Sequence, residues 1–125
     1  TLIKNYLEEN KMYDDNNIFA KILRQEIPCS KVYEDDSSLF FNDINPQAKI
    51  HVLGIPKTAC IDYSDFITSV DEKTIISFFN SVNIVIDKLN IREKGYKLIS
   101  NSGEGGGQEV PHFHIHILSG EISKI

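Results

Sequence analysis

The residues best suited to chemistry are three histidines in segment 110–118, where they alternate with apolar side chains. Successive side chains of a β-strand point to opposite faces, so this spacing predicts His112, His114 and His116 on one face and the apolar residues in the core. Imidazole serves as nucleophile, proton carrier and metal ligand near neutral pH. We therefore predict nucleophilic catalysis by the central His114, with His112 and His116 as proton donors and phosphate ligands. A polar row that only faces solvent is the alternative without a function.

A zinc site is the other chemistry that these histidines could provide. Residues on the same face of a strand are about 6.6 Å apart, so His112 and His116 are roughly 13 Å apart and cannot bind one ion. Two neighbouring histidines together with His51 could. We expect that no metal and no other cofactor is required, and we leave zinc open as a bystander ion.

A glycine-rich loop, residues 101–109, comes directly before the histidine segment and holds four of the chain's seven glycines. Glycine permits positive φ angles and close backbone approach, so consecutive N–H groups of such a loop can form a nest for an anion. A flexible turn would have a similar composition. Its position beside the histidines favours a phosphate-binding loop.

The elements that position these residues follow from hydrophobic spacing. Apolar residues at helical spacing predict a short helix at 18–26, ended by Pro28, and a long helix at about 70–91. Ser69 and Glu72 resemble a capping box for the long helix, whose apolar stripe runs through Ile75, Phe79, Val82, Ile86 and Leu89. Hydrophobic and β-branched residues on either side of a polar turn predict strands at 31–34 and 38–43, and further strands are predicted at 50–56, 96–100 and 110–118. We predict an α+β fold, an antiparallel five-stranded sheet with one long and one short helix on one face.

Composition limits the class of protein. A chain of 125 residues fits one domain, and we expect an N-terminal extension of little order at 1–15 and a single domain at 16–125. The net charge of −5 disfavours binding to nucleic acid or to an anionic membrane surface. No apolar run is long enough to cross a membrane. Cys29 and Cys60 suggest no disulfide framework, so we expect a cytoplasmic protein.

The loop and the histidine segment together carry a specific pattern. It reads Asn101-x4-Gly106-x-Gln108-x-Val110-x-His112-Phe113-His114-Ile115-His116-Ile117-Leu118. This pattern resembles the signature of the histidine triad (HIT) family of nucleotide hydrolases and transferases. Earlier stretches resemble its Hint branch, namely Ile18-Phe19-Ala20-Lys21-Ile22, Glu26-Ile27-Pro28, Asp43-Ile44-Asn45-Pro46-Gln47-Ala48, and His51 with Ile55-Pro56-Lys57.

The resemblance implies a function and an assembly. Hint proteins are purine nucleoside phosphoramidases that cleave the P–N bond of substrates such as adenosine monophosphoramidate. They are homodimers in which two five-stranded sheets join into one sheet of ten strands. By the same resemblance, His114 is the nucleophile that forms a nucleotidyl-histidine, with His112, His116 and His51 as the other histidines of the site.

The remaining site residues come from the resemblance as well. Asp43 matches the carboxylate that binds the ribose, and a turn preceding Asn45 is the alternative role for it. The positions that match the apolar base pocket are Phe19, Ile22 and Ile44. The positions that match phosphate contacts are Asn101, Gly107, Gln108 and Glu109.

Two departures from the Hint pattern leave the leaving group open. Residues 118–121 differ from the usual Gly-Gly-Arg, and residues 122–125 lack an aromatic tail. Glu109 stands where some members carry a serine. A dinucleoside polyphosphate hydrolase or nucleotidyl transferase of the same family, and a non-catalytic nucleotide- or zinc-binding module, therefore remain alternatives.

Overall fold

The computed structural model describes residues 12–121. Its strands are β1 (Lys31–Glu34), β2 (Ser38–Asn42), β3 (Ile50–Pro56), β4 (Lys97–Ile99) and β5 (Ile115–Ser119). Its helices are α1 (Ile18–Leu23), α2 (Tyr63–Ser69) and α3 (Glu72–Lys88), with a short 3₁₀ turn at Glu104–Gly106. The strands form one antiparallel sheet in the order β1-β2-β3-β5-β4. The predicted α+β class and five-stranded sheet are confirmed.

The two faces of the sheet carry two separate apolar cores. On one face, Phe40, Val52 and Ile117 pack with α2 and α3. On the other face, the alternate strand residues pack with α1, in a cluster made of Phe19, Ile22, Leu39, Phe41, Leu53 and Ile55. The prediction that the helices share one face is wrong for α1, because its apolar residues match the strand positions that point away from α3.

Helix α2 was not predicted, and it changes the start of the long helix. Ser69 ends α2, and its hydroxyl donates to Asp65 at 2.8 Å, so it does not cap α3. Asp71 is the N-cap of α3 and makes no side-chain capping bond. The predicted capping box is therefore wrong. The predicted stripe is correct at Ile75, Val82, Ile86 and Leu89, which belong to the core or pack against it, but Phe79 is 37% exposed and Phe78 is buried in its place.

The end of the histidine segment, and not its start, forms the fifth strand. Pro111 has no N–H, and the N–H of His112 turns back to the carbonyl of Val110 at 2.9 Å. Phe113 donates its N–H to the carbonyl of Cys60 at 2.9 Å, outside the sheet. The predicted strand at 110–118 is therefore corrected to Ile115–Ser119. Its core face is as predicted, because Phe113, Ile115 and Ile117 are buried in one cluster.

Two expectations fall partly or wholly outside the described residues. The atypical tail at 122–125 lies beyond them, as does most of the expected extension at 1–15. Among residues 12–121, no helix is long and apolar enough to cross a bilayer.

Candidate active site

A cavity of about 670 Å³ opens between α1, the β2–β3 connection and the segment 101–110. Most of the predicted site residues line it: Phe19, Ile22, Asp43, Ile44, His51, Asn101, Gly107, Glu109, His114 and His116. His112 and Gln108 do not. The apolar face that holds α1 and the histidine face are therefore the same face of the sheet.

His114 has the geometry of a nucleophile. Its Nδ1 is 2.7 Å from the backbone carbonyl of His112, which can only accept, so the ring proton is on Nδ1. The lone pair is then on Nε2, in a ring that lines the cavity and packs edge-on against Phe19 at 5.0 Å between ring centroids. Burial lowers the pKa of His114, against the opposing effects of that carbonyl and of Asp43 and Glu109. The ring is therefore neutral near neutral pH.

Hydrogen bonds that run from Gln47 through His51 fix the tautomer of His116. The backbone N–H of Gln47 donates to His51 Nδ1 at 3.0 Å, so the proton of neutral His51 is on Nε2. That Nε2 is 2.9 Å from His116 Nδ1, which leaves the proton of His116 on Nε2. Burial, together with the neighbouring His114 and His51, lowers the pKa of His116 to about 4. His116 thus brings a neutral N–H donor to the cavity that His114 lines.

His112 is placed differently from the other three histidines. It is completely buried, its Nε2 is 2.8 Å from the carbonyl of Pro56, and its Nδ1 is 2.6 Å from the hydroxyl of Tyr13. Burial lowers the pKa of His112 to about 4. Both ring nitrogens are occupied by protein groups, so the predicted proton donor to a substrate is instead placed to hold the site together.

Asp43 makes a turn interaction and also lines the cavity. Its Oδ1 accepts the N–H of Asn45 at 2.8 Å, which is a turn interaction. Its Oδ2 lies 3.3 Å from His51 Nε2, and the residue lines the cavity. Ile44, next to it, is fully exposed at the same cavity.

The glycine-rich loop differs in detail from the predicted anion nest. The 3₁₀ turn uses the N–H groups of Gly106, Gly107 and Gln108 in bonds to loop carbonyls at 3.0–3.1 Å. The prediction of consecutive free N–H groups is therefore wrong for these three. Gly107 still requires glycine, because its φ is 78°.

Side-chain amides hold this loop in shape. Asn101 Nδ2 donates to Gly106 at 2.8 Å, and Asn101 also lines the cavity. The carboxamide of Gln108 accepts from Gly103 at 2.8 Å and donates to Ile61 at 2.7 Å and to Val110 at 2.9 Å. Gln108, predicted as a phosphate contact, is thus placed as a brace between the loop and the chain ahead of α2.

The sequence did not single out several residues of the site. Gln47 was noted only as part of a motif, and its backbone N–H sets the tautomer of His51. Tyr13 lay in the expected extension, and no local pattern connects it to a histidine 99 positions away. Further apolar lining comes from Ile18, Ile27, Pro28, Phe41, Leu53 and Val110. Ile18 directly precedes Phe19, and Phe41 lies two residues before Asp43. This closeness in sequence to predicted site residues could have identified both.

The fold and site geometry agree with the comparisons with known proteins. The HIT domain model matches residues 24–122, and the chain belongs to the HIT family. An uncharacterized HIT-like protein of Azospirillum brasilense is 50% identical over 110 residues, which cover 88% of this chain and 90% of that protein. The purine nucleoside phosphoramidase of Escherichia coli K12 is 39% identical over 106 residues, 85% of this chain and 88% of the enzyme.

A solved structure shows the same architecture. The HIT family hydrolase of Legionella pneumophila superposes with a TM-score of 0.79 at 38% identity, over 85% of this chain and 94% of its own. The predicted membership of the HIT family and the fold are therefore confirmed, and the relatives support a hydrolase at the level of the family.

One cluster of side chains could hold a metal ion. A maize relative, 39% identical over 112 residues that cover 88% of this chain and 86% of that protein, is named a 14 kDa zinc-binding protein. Here Asp43, His51 and His116 place ligand atoms within 4.8 Å of one another. However, His51 Nδ1 already accepts the N–H of Gln47, so its Nε2 carries the proton. Zinc would have to displace that proton or break the bond, and the donor set therefore does not fit the ion as it stands.

Proposed function

We propose that this protein hydrolyses purine nucleoside phosphoramidates by cleaving the P–N bond through a nucleotidyl-His114 intermediate. The observation that carries the proposal is the hydrogen bond from His114 Nδ1 to the carbonyl of His112, which leaves Nε2 as the nucleophilic atom of a ring that lines the cavity. The similarity to the phosphoramidase of E. coli supports the same reaction class.

The cavity has separate regions for the parts of a nucleotide. The apolar cluster around Phe19 and Ile22, with the exposed Ile44, suits a purine ring. Asp43 is positioned to accept hydrogen bonds from ribose hydroxyls through Oδ2. Asn101, Gly107 and His116 line the remainder, where we place the phosphate.

The proposed reaction has two steps. His114 Nε2 attacks the phosphorus, the P–N bond breaks, and the amine takes up a proton as it leaves. Water then attacks the phosphorus, the bond between phosphorus and His114 Nε2 breaks, and the proton lost by the water passes to solvent and replaces the one that the amine took from it. This releases the nucleoside monophosphate and restores the neutral imidazole. The Nε2–H of neutral His116 is placed to donate to the phosphoryl oxygens and to stabilise the charge that develops on them. The overall reaction consumes one water and requires no metal or other cofactor.

A dinucleoside polyphosphate hydrolase is the second candidate, and the charges of the cavity disfavour it. Two carboxylates, Asp43 and Glu109, line the cavity, whereas no lysine or arginine of the described residues does. A leaving group with several negative charges would meet repulsion there, while an amine would not. This argument also disfavours a nucleotidyl transferase that uses a polyphosphate acceptor.

We further propose a homodimer in which the sheets of two copies join at β4. This strand ends the strand order, and Tyr96 and Leu98 are exposed there. The homodimer, the absence of nucleic-acid and membrane partners, and a cytoplasmic location stay predictions. The thiols of Cys29 and Cys60 are free, which agrees with a reducing compartment.

Hydrolysis of adenosine 5′-phosphoramidate by the wild type and by His114→Ala tests the proposal. We expect turnover by the wild type and a loss of at least about a thousandfold in the variant, because the nucleophile is gone. Binding of AMP, measured in both proteins, separates a loss of chemistry from a loss of the site. AMP binding with no turnover of any nucleotide by the wild type would favour a binding module instead.

A further inference from the structure

The contact between Tyr13 and His112 joins the site to a part of the chain that precedes the matched HIT domain, which begins at residue 24. The Tyr13 hydroxyl is 2.6 Å from His112 Nδ1, and the two rings pack edge-on with centroids 5.6 Å apart. Tyr13 does not line the cavity. Its hydrogen bond and its ring contact to the site are both made to His112.

The segment around Tyr13 is tied to α1. The side chain of Asn17 donates to the carbonyl of Asp14 at 2.7 Å and accepts the N–H of Ala20 at 2.9 Å, which caps the helix. Arg24 donates to the carbonyl of Asp15 at 2.8 Å. Helix α1 also supplies Phe19 to the cavity. The two residues that follow Tyr13 are thus bound to the helix that shapes the apolar end of the site.

The direction of the Tyr13–His112 bond follows from the other ring nitrogen. His112 Nε2 faces the carbonyl of Pro56, which only accepts, so Nε2 carries the proton. The neutral ring then presents a lone pair at Nδ1, and the hydroxyl of Tyr13 must donate to it. Burial raises the pKa of the Tyr13 phenol, which keeps the donor proton in place.

His112 in turn bears directly on the nucleophile. Its backbone carbonyl accepts the Nδ1 proton of His114 at 2.7 Å, and the edge of Phe19 packs on both rings. A His112 ring that gained a proton at Nδ1 would place a positive charge beside His114. A ring that lost its partner at Nδ1 would leave a buried acceptor unsatisfied and free to move.

We propose that Tyr13 is a positioning residue for the phosphoramidase reaction: its hydroxyl occupies Nδ1 of the His112 ring, whose tautomer the Pro56 carbonyl sets, and thereby holds in place the His112 carbonyl that orients His114. The kinetic part of this inference rests on the proposed function. The hydrogen bond from Tyr13 to His112 Nδ1 does not.

Tyr13→Phe in the full chain tests the inference, because phenylalanine keeps the ring contact and removes only the hydroxyl. We expect kcat for adenosine 5′-phosphoramidate to fall about tenfold, the scale of one buried hydrogen bond, with KM changed less than about twofold. Tyr63→Phe is the matched control, because Tyr63 is 50% exposed on α2. It should retain wild-type kcat and KM.

The ¹⁵N NMR shifts of the His112 ring give a readout that a general loss of structure would not produce. Both proteins should show a protonated Nε2, because the Pro56 carbonyl is unchanged, while Tyr13→Phe should show a shifted Nδ1 resonance and take up a proton at Nδ1 at a higher pH than the wild type. Wild-type kcat in Tyr13→Phe, or a lowered kcat with an unchanged Nδ1 resonance and an unchanged titration of His112, would overturn the inference. A wild type that does not hydrolyse the phosphoramidate would overturn the proposed function, while the NMR comparison would still decide whether Tyr13 fixes His112.

Discussion

Acid should destabilise this protein through His112, and replacing His112 with glutamine should remove that part of the acid sensitivity. The pKa of His112 is about 4 in the folded chain and about 6.5 in an unfolded one. Between these two values the unfolded state binds more protons than the native state, so the free energy of unfolding falls as the pH falls. The contribution of neutral His112 to the free energy of unfolding is fully present above about pH 6.5 and is lost as the pH falls toward about 4.

The two pKa values set the size of this effect. Linkage over this shift gives a loss of about 2.5 kcal/mol from His112 alone between about pH 7.5 and about pH 4.5. The ring of His112 is completely buried, so among the histidines its pKa shift converts most directly into free energy of unfolding. His112→Gln keeps a donor for the Pro56 carbonyl and cannot titrate. The difference in free energy of unfolding between wild type and variant should therefore be about 2.5 kcal/mol smaller at about pH 4.5 than at about pH 7.5.

Urea unfolding at a series of pH values measures that difference, at one fixed protein concentration because dimerisation would contribute to stability. Groups that titrate in both proteins contribute equally, so they cancel in the difference. A difference that stays constant from neutral to acidic pH would refute the reasoning, since it would mean that His112 has an ordinary pKa in the folded protein.

Two other predictions concern the core and the leaving group. Gly54→Ala should lower the free energy of unfolding by about 2 kcal/mol, because its Cβ would overlap the Phe40 ring. Gly105→Ala is the control: with nothing within 4 Å of its Cβ, it should change the free energy of unfolding by less than about 0.5 kcal/mol in the same urea assay. Equal effects of the two would contradict this. Glu109→Gln should raise the ratio of the rate on a diadenosine polyphosphate to that on the phosphoramidate about fivefold, because it removes a negative charge from the cavity lining. An unchanged ratio would show that this charge does not select the leaving group.

Local sequence patterns predicted most of the sheet because its strands are short runs of apolar and β-branched residues between turn residues, buried on both faces in β2 and β3. The core side of Phe113, Ile115 and Ile117 follows directly from a period of two, and the structure buries all three. Helix α2 gave no comparable signal, since Phe66 is its only buried residue among seven. Its capping residue, Asp62, also resembles an ordinary turn residue in the sequence.

Part of the candidate site could likewise be predicted from the sequence, and part could not. Period two placed His114 and His116 on one face, and the family resemblance brought Asp43, Asn101 and Glu109 to the same cavity. The hydrogen-bond partners could not be predicted, because they join distant parts of the chain.

The two functional assignments that changed depend on such partners. His112 was expected to face a substrate, and its contacts with Tyr13 and Pro56 turn it into a buried support. Gln108 was expected to contact phosphate, and its bonds to Gly103, Ile61 and Val110 make it a brace for the loop.

Trapping the covalent intermediate tests the central claim most directly. Protein mixed with labelled adenosine 5′-phosphoramidate is quenched within the first turnover and analysed by mass spectrometry of its peptides. The mechanism predicts an adenylyl group on His114, absent from His114→Ala. An adenylyl group on any other residue, or hydrolysis by His114→Ala near the wild-type rate, would contradict it.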